Sequence, residues 1–319
     1  GSFRFSISWP RILPEGRGGI NQKGIDFYNR VIDSLLEKNI EPFVDLYHWE
    51  LPEVLSKEGS FLREGIVDDF AAYAEICFKH FGDRVDYWST INEPSAKGCF
   101  TAEDKRFDFQ NPECFFTYAS NVLKMHNAAV KCFRETIAPG KAEIGAVSAF
   151  VPIYARSLDE KDRLAARIQE DYVCNIWFAG ILKGKYPELL LNHPGLACKK
   201  RENLQEELSA VYEKVDFMGV NYYYPNLIGH KKGEFLDSEL AQIYYAQSDY
   251  GFFIYPQGLY DTLMYFKEHY DNPKVYLTEN GFATDRVKHG ADLDDQERIN
   301  YLKEHLRELS RASKAGANV

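Results

Sequence analysis

The sequence predicts an α/β fold with a parallel sheet of the (β/α)8 TIM-barrel type, forming one domain over residues 1–319. Strand-like and helix-like segments alternate along the whole chain, which is typical of βαβ units joined by right-handed crossovers. Polar side chains follow five of the strand-like segments at the point where each ends. An open doubly wound sheet brings groups from only a few strands to its switch point, so five such ends favour a barrel.

Six strands and six helices carry this prediction along the chain. The strands are rich in β-branched and aromatic residues, at residues 3–9, 42–47, 86–91, 142–149, 215–223 and 274–281. The helices have apolar residues at spacings of three and four, at residues 21–38, 66–81, 114–136, 160–182, 258–270 and 293–313. Residues 224–253 are aromatic and irregular, and we predict a long βα loop there.

Proline and glycine mark the ends of several elements. The first strand alternates apolar and polar residues up to Pro10, and the third stops at Pro94, because proline has no N–H for the ladder. The helix over 66–81 is closed by Gly82, and the helix over 114–136 stops before Pro139. Pro94 thus marks the strand end at which Asn92 and Glu93 are found.

Composition and charge narrow the class of protein. The chain has 38 Lys and Arg against 48 Asp and Glu, a net charge of −10, which disfavours nucleic acid and anionic membrane as partners. The sequence has no apolar run that could span a bilayer and no charged-then-apolar leader. Its six cysteines lack CxxC spacing, so we predict reduced packing thiols and a cytoplasmic location. The Gly-rich phosphate-binding patterns are absent, and no cofactor or metal is predicted.

Two carboxylates at strand ends point to glycoside hydrolysis. Glu93 and Glu279 each finish a strand far apart in sequence, and only a closed fold would make them neighbours. Two carboxyls about 5 Å apart are the apparatus of retaining glycosidases, one as nucleophile and one as acid/base. Arg4 within the first strand and the Tyr223 hydroxyl could stabilise an ionised nucleophile.

Four further residues at strand ends suit a sugar ligand. His48, Asn92 and Asn221 offer directional hydrogen bonds to sugar hydroxyls, and Trp49 offers a ring face. Taken singly, His48 could equally be a structural histidine. Arg4 alone could be half of a core ion pair, and Glu93 alone a solvated acid. They indicate a site only as a set.

The ordered motifs that carry these residues resemble glycoside hydrolase family 1, the β-glucosidase and β-galactosidase type. They are FRFSISWPRILP (3–14), LYHWELP (46–52), TINEP (90–94), DFMGVNYY (216–223) and YLTENG (276–281). The segments FGDRVDYWSTINEP (81–94) and ILKGKYPELL (181–190) add to the resemblance. It runs along nearly the whole chain and implies a retaining β-glycosidase that needs no cofactor.

The resemblance also implies a role for each residue of the set. Glu93 matches the acid/base and Glu279 the nucleophile, with Arg4 and Tyr223 holding and tuning the nucleophile. The sugar-binding set is matched by His48 near the 3-hydroxyl, Asn92 at the 2-hydroxyl, Trp49, and Asn221 on the acid/base side.

The chain departs from the family pattern at both ends. Family members have a strand before the first motif and another after the last helix, both with sugar-binding residues, so about six of eight βα units are expected here. Open barrel edges predict self-association. Glu50 stands where Asp is usual, and Ser95-Ala96-Lys97 replaces an aromatic or apolar run.

The sequence is compatible with three functions. The first is a retaining β-glycosidase acting on β-linked glucosides or oligosaccharides, with activity weakened by the missing strands. The second is a 6-phospho-β-glycosidase, disfavoured because Asn221 stands where that branch often carries Ser. The third is a catalytically silent barrel fragment that binds a ligand or partner.

Overall fold

The computed structural model describes residues 1–63, 65–95, 107–284 and 295–319. Its strands are β1 Ser2–Ser6, β2 Glu41–Tyr47, β3 Tyr87–Asn92, β4 Glu143–Ala149, β5 Ile153–Ala155, β6 Phe217–Asn221, β7 Asn226–His230, β8 Ser238–Leu240 and β9 Val275–Glu279. Its α-helices are α1 Trp9–Ile12, α2 Gln22–Leu36, α3 Glu53–Lys57, α4 Ile66–Phe81, α5 Pro112–Thr136, α6 Glu160–Glu170, α7 Ile176–Lys183, α8 Glu188–Asn192, α9 Leu204–Val211, α10 Gln257–His269 and α11 Gln296–Lys314.

The six predicted strands form one sheet in the order β1-β2-β3-β4-β6-β9. The pairs β1–β2, β2–β3 and β3–β4 are parallel, with Arg4 opposite Phe43 and Ser89 opposite Asp45. A helix follows each strand, as parallel crossovers require. The carboxyl ends of these strands therefore lie along one edge of the sheet, and the candidate residues Asn92, Asn221 and Glu279 end three of them.

The chain divides into two compact units, one of residues 1–148 with 176–218 and one of residues 149–175 with 219–319. The core of the first unit is aromatic, with the rings of Trp9 and Tyr73 stacked at a centroid distance of 5.1 Å. The core of the second contains Leu263 and Phe266 of α10, both about 1% exposed. One catalytic domain over residues 1–319 stays a prediction.

Two element predictions are wrong in detail. The first strand ends at Ser6, and Trp9 begins the short helix α1 instead. Pro10 lies at the start of this helix, where its fixed φ and missing N–H are favourable. The predicted loop over 224–253 contains β7 and β8, which form a second sheet with β5. Strands this short have too little periodicity to detect in sequence. The predicted helix start at Leu293 lies outside the described residues.

The predicted helix over 160–182 is interrupted by a π-helical turn, Asp171–Asn175. Within it, the Asn175 amide donates to Asp171 Oδ1 at 2.8 Å and to the Tyr265 hydroxyl at 2.7 Å. The side-chain oxygen of Asn175, Oδ1, accepts a hydrogen bond from the Tyr270 hydroxyl at 2.7 Å. Tyr265 and Tyr270 are distant from Asn175 in sequence, so helical periodicity could not reveal the wider turn.

The carboxyl of Glu170 borders this turn and titrates near neutrality. Burial raises its pKa from 4.5 to about 7, although hydrogen bonds from the Tyr265 hydroxyl and the Ile153 amide oppose the shift. Between pH 4.5 and 7 the folded chain thus holds a proton that the unfolded chain releases. The free energy of unfolding should therefore fall as the pH rises through this window.

Replacing Glu170 with Gln should remove this part of the pH dependence, because glutamine does not titrate. At pH 8 we expect the variant to be more stable than the wild type by up to about 3 kcal/mol, and at pH 4.5 to be similar. Urea unfolding at a series of pH values measures this difference. Glu160→Gln, at an exposed position of the same helix, is the matched control. Parallel stability curves for wild type and Glu170→Gln would contradict the prediction.

Candidate active site

The first group of candidate residues is organised around Asp45, a 1% exposed carboxylate within β2. Arg4 Nη2 lies 2.8 Å from Asp45 Oδ2, and His48 Nδ1 lies 3.5 Å from the same oxygen. The Ser89 hydroxyl donates to Asp45 Oδ1. These residues come from three adjacent strands or their ends, so the sheet brings together groups that are far apart in sequence. We call Arg4, Asp45, His48, Ser89 and Asn92 the Asp45 cluster.

The amide of Asn92 is held from both sides within this cluster. Arg4 Nη2 donates to Asn92 Oδ1 at 2.6 Å, and Asn92 Nδ2 lies 3.3 Å from His48 Nε2. Because Asn92 Oδ1 accepts from Arg4, Asn92 Nδ2 is a donor, and His48 Nε2 is its acceptor. The orientation of Asn92 and the tautomer of His48 are thus set by the same network.

Trp49 presents its ring beside this network. The indole N–H donates to the carbonyl oxygen of Asn92 at 3.1 Å, which fixes the side chain. The residue is 36% exposed, so part of the ring face remains accessible. An anchored and partly exposed indole is suited to packing against a sugar ring.

Glu93 follows β3 with a left-handed backbone, at φ +48°. Its N–H donates to the carbonyl of Val147 at 2.9 Å, and the residue is 9% exposed. Trp49 also has a positive φ, of +86°. Such conformations cost about 1–3 kcal/mol in non-glycine residues and cluster at functional sites. The strain at these two neighbouring strand ends supports a functional role for both.

The second group surrounds Glu279 at the end of β9. The Tyr223 hydroxyl donates to Glu279 Oε2 at 2.8 Å, and a hydroxyl donor of this kind stabilises a negative charge on the acceptor. The Thr278 hydroxyl donates to Asn221 Oδ1 at 2.6 Å. Asn280 Nδ2 donates to the carbonyl of Tyr222 at 2.8 Å. We call Asn221, Tyr223, Thr278, Glu279 and Asn280 the Glu279 cluster.

All eight predicted site residues lie in the described part of the chain. Arg4, His48, Trp49 and Asn92 are connected to one another in the first group, and Glu93 adjoins Asn92. Tyr223 contacts Glu279 in the second group, and Asn221 is linked to the residue before Glu279. Within the described residues, no group of His, Cys, Asp and Glu has an arrangement that would hold a metal ion.

Sequence reasoning missed Asp45, which contacts Arg4, His48 and Ser89 in the first group. The available signal was a single acid inside the apolar run FVDLY of β2. A buried acid within a strand requires partners, and Arg4 in the neighbouring strand supplies one. Arg4, which taken alone could be half of a core ion pair, is paired with Asp45 and also donates to Asn92.

Removing the Asp45 carboxylate should destabilise the first group. Asp45→Ala leaves the guanidinium of Arg4, whose side chain is 16% exposed, without this counter-charge. We expect a loss of about 3 kcal/mol in the free energy of unfolding, measured by urea titration. Glu53→Ala, in the exposed Glu53–Lys57 pair of α3, is the control and should have no measurable effect. An equally small effect of both substitutions would contradict the prediction.

Comparison with known proteins also indicates a glycoside hydrolase. The sequence matches the family described as Glycosyl hydrolase family 1 over residues 1–319. It is 40% identical over 327 residues to Beta-glucosidase A of Thermotoga maritima, covering 99% of this chain and 71% of that protein. It is 38% identical over 325 residues to the 1,4-beta-D-glucan glucohydrolase of Thermotoga neapolitana, covering 99% of this chain and 74% of that protein.

A solved structure agrees with the fold. The Thermotoga maritima beta-glucosidase in complex with deoxynojirimycin superposes with a TM-score of 0.90 at 38% identity, covering 99% of this chain and 72% of that one. This likeness confirms the predicted (β/α)8-type fold, of which the described residues contain a six-stranded parallel sheet. Among the described residues, the helices lack the combination of length and hydropathy needed to cross a bilayer.

Proposed function

Because this chain belongs to Glycosyl hydrolase family 1, we propose that it hydrolyses β-linked glucosides with retention of configuration at the anomeric carbon. The proposal rests above all on the hydrogen bond between the Tyr223 hydroxyl and Glu279 Oε2, 2.8 Å long. A carboxylate oxygen held by a hydroxyl at the end of a barrel strand is poised to act as an anionic nucleophile.

In the first step, Glu279 attacks the anomeric carbon while Glu93 protonates the oxygen of the leaving group. The C–O bond to the aglycone breaks, and a glycosyl ester with Glu279 forms. In the second step, Glu93 takes a proton from water, the water oxygen displaces Glu279, and the sugar is released with its original configuration. Two carboxyls and water suffice, so the reaction calls for no cofactor.

The Asp45 cluster supports a sugar-binding role in this reaction. Arg4 and Asp45 hold His48 and Asn92 in fixed orientations, and Trp49 is anchored to the backbone of Asn92. Hydrogen-bonding groups fixed before the sugar arrives lose little entropy when it binds. We propose Asn92 as the partner of the 2-hydroxyl and His48 as the partner of the 3-hydroxyl. We assign Asn221 to the acid/base side of the same sugar site.

The experiment that tests the proposal follows the hydrolysis of an aryl β-D-glucoside by proton NMR. Retention requires that β-glucose appears first and the α-anomer only later, by mutarotation. Initial release of α-glucose would overturn the retaining mechanism. A folded chain without turnover would instead favour the catalytically silent scaffold. The 6-phosphoglucoside assayed in parallel separates the phospho-β-glycosidase alternative, which would prefer the phosphorylated substrate.

We also propose the partners of this protein and its location in the cell. Small-molecule or oligosaccharide β-glycosides are the proposed substrates, and the acidic net charge of −10 disfavours nucleic acid and membrane surfaces as partners. Self-association is proposed through the outer strands of the six-stranded sheet, β1 and β9. A cytoplasmic location is proposed from the cysteine spacing; the five cysteines within the described ranges are free, and Cys99 lies outside them.

A further inference from the structure

A buried tyrosine of α11 lies behind the Glu279 cluster. Tyr301 is 5% exposed, and its hydroxyl accepts a hydrogen bond from Asn280 Nδ2 at 3.0 Å. The same hydroxyl donates to the carbonyl oxygen of Tyr223 over a longer distance of 3.5 Å. It therefore connects the residue that follows Glu279 to the residue whose side chain binds Glu279.

The amide of Asn280 completes this connection. Its Nδ2 also donates to the carbonyl of Tyr222 at 2.8 Å, while the N–H of Tyr222 donates to the carbonyl of Glu279 at 3.0 Å. The backbone leaving β6 and the backbone leaving β9 are thus joined by main-chain and side-chain bonds around Glu279. Helix α11 joins this network through the hydroxyl of Tyr301.

The ring of Tyr301 is held in place by its own neighbours. The imidazole of His305 stacks on it with a centroid distance of 3.8 Å, and His305 Nδ1 lies 2.8 Å from the carbonyl oxygen of Tyr301. Phe282 packs against the ring at 5.6 Å. Such packing leaves the hydroxyl little freedom to move away from Asn280 and Tyr223.

Titration does not disturb this arrangement near neutral pH. Burial raises the pKa of Tyr301 to about 12, so that its hydroxyl keeps the proton it donates. Burial also lowers the pKa of His305, which favours the neutral imidazole. Both shifts favour the uncharged form of these rings near neutral pH.

We propose that Tyr301 is a positioning residue for the nucleophilic displacement, acting through Asn280 and Tyr223 to keep the Tyr223 hydroxyl on Glu279. The inference rests on the proposed function. Tyr301 contacts the residues that flank and bind Glu279, and its effect on the reaction is indirect. Errors of about 1 Å in the position of a reacting group can cost about 100-fold in rate, so loss of one anchor should slow the displacement measurably.

The test measures covalent labelling of Glu279 by 2-deoxy-2-fluoro-β-D-glucosyl fluoride. In this reaction the C1–F bond breaks, a bond forms between C1 and a carboxylate oxygen of Glu279, and fluoride leaves. The fluorine at carbon 2 slows turnover of the ester, so the labelled chain accumulates and is counted by intact mass. The rate constant reports positioning, and the final labelled fraction reports how much of the chain is folded.

For Tyr301→Phe we expect a rate constant at least about 10-fold below the wild type, with the labelled fraction little changed. Deoxynojirimycin, the ligand in the complex of the Thermotoga maritima beta-glucosidase, should bind the variant as tightly as it binds the wild type. Tyr260→Phe is the matched control, since it removes a tyrosine hydroxyl from the neighbouring helix α10, where the ring lies under Arg311 at 3.7 Å. This control should label at the wild-type rate.

Asn280→Ala removes the donor of the Asn280–Tyr301 hydrogen bond, together with the bond from Asn280 to the carbonyl of Tyr222. This variant should also be labelled more slowly. For the double variant Tyr301→Phe/Asn280→Ala, the fold reduction of the labelling rate constant should be smaller than the product of the two single-variant reductions. A wild-type rate constant in Tyr301→Phe, with or without a reduced labelled fraction, would overturn the role of Tyr301 alone. Absence of labelling in the folded wild type would overturn the proposed function, and the role of Tyr301 with it.

Discussion

Glu279→Gln is expected to reduce the hydrolysis of aryl β-D-glucosides by about 10⁴- to 10⁶-fold, the range found when an essential nucleophile is removed. The neutral amide of glutamine cannot form the glycosyl ester, although it has nearly the volume and shape of the carboxylate. The Tyr223 hydroxyl, now 2.8 Å from Glu279 Oε2, can still donate to the amide oxygen. The fold should therefore survive, and the loss should appear in kcat.

Steady-state kinetics with a nitrophenyl β-D-glucoside measures this effect, with circular dichroism to establish that the variant is folded. Glu41→Gln is the matched control, because Glu41 is an exposed acid at the opposite, amino-terminal end of a strand of the same sheet. It should leave kcat and KM unchanged. A folded Glu279→Gln variant with wild-type turnover would assign the nucleophile to another residue.

A smaller carboxylate supplied from solution provides an independent check of the same role. In Glu279→Gly, formate can occupy the space of the missing side chain and attack the sugar in its place. We expect partial recovery of aglycone release that rises with formate concentration. An equal formate-dependent increase in the rate of Glu41→Gln, which keeps its nucleophile, would show a general salt effect and contradict the assignment.

The sheet could be predicted from sequence because each strand carries its own signal. The run PFVDLY of β2 is almost continuously buried, and such a run between helical segments is typical of a parallel strand. The polar residues that end the strands were visible for the same reason, since the change from apolar to polar is local. Asn92, Asn221 and Glu279 were found in this way.

Local patterns do not identify the partners of these residues, which come from distant parts of the chain, and the Tyr223 hydroxyl could be matched to Glu279 only by expecting the two strand ends to share one site. Arg4 and Asn92 are 88 residues apart, and Tyr223 and Glu279 are 56 residues apart. Only the order and register of the strands make them neighbours. Tyr301 lies inside a helix whose pattern looks ordinary, and its importance appears only in its contacts, whereas Asp45 was signalled only by an acid within an apolar strand.

Glu93→Gln is expected to have an effect that depends on the leaving group, which distinguishes an acid/base from a nucleophile. A poor leaving group such as an alkyl alcohol or a second sugar must be protonated as it departs. For those substrates we expect kcat/KM to fall by about 10²- to 10⁴-fold. A dinitrophenolate leaves without protonation, so the same ratio should change much less.

The structure makes Glu93→Gln the right substitution for this test. Glu93 has a backbone φ of +48° and is 9% exposed, so a residue of similar size preserves its packing. Glycine would instead relieve the left-handed conformation and change stability and chemistry together. Glutamine keeps the size of the side chain and removes its ability to donate and accept a proton in the reaction.

Azide provides a second test of the acid/base role of Glu93, because it attacks the glycosyl ester without help from a general base. The second step should be slow in Glu93→Gln, since water is no longer activated, and azide should accelerate turnover of the dinitrophenyl substrate. The expected product is the β-glucosyl azide, formed by a second inversion at the anomeric carbon. Formation of the α-azide, or equal losses for all leaving groups, would contradict the acid/base role of Glu93. The wild type and Glu41→Gln should not respond to azide, because their water is already activated.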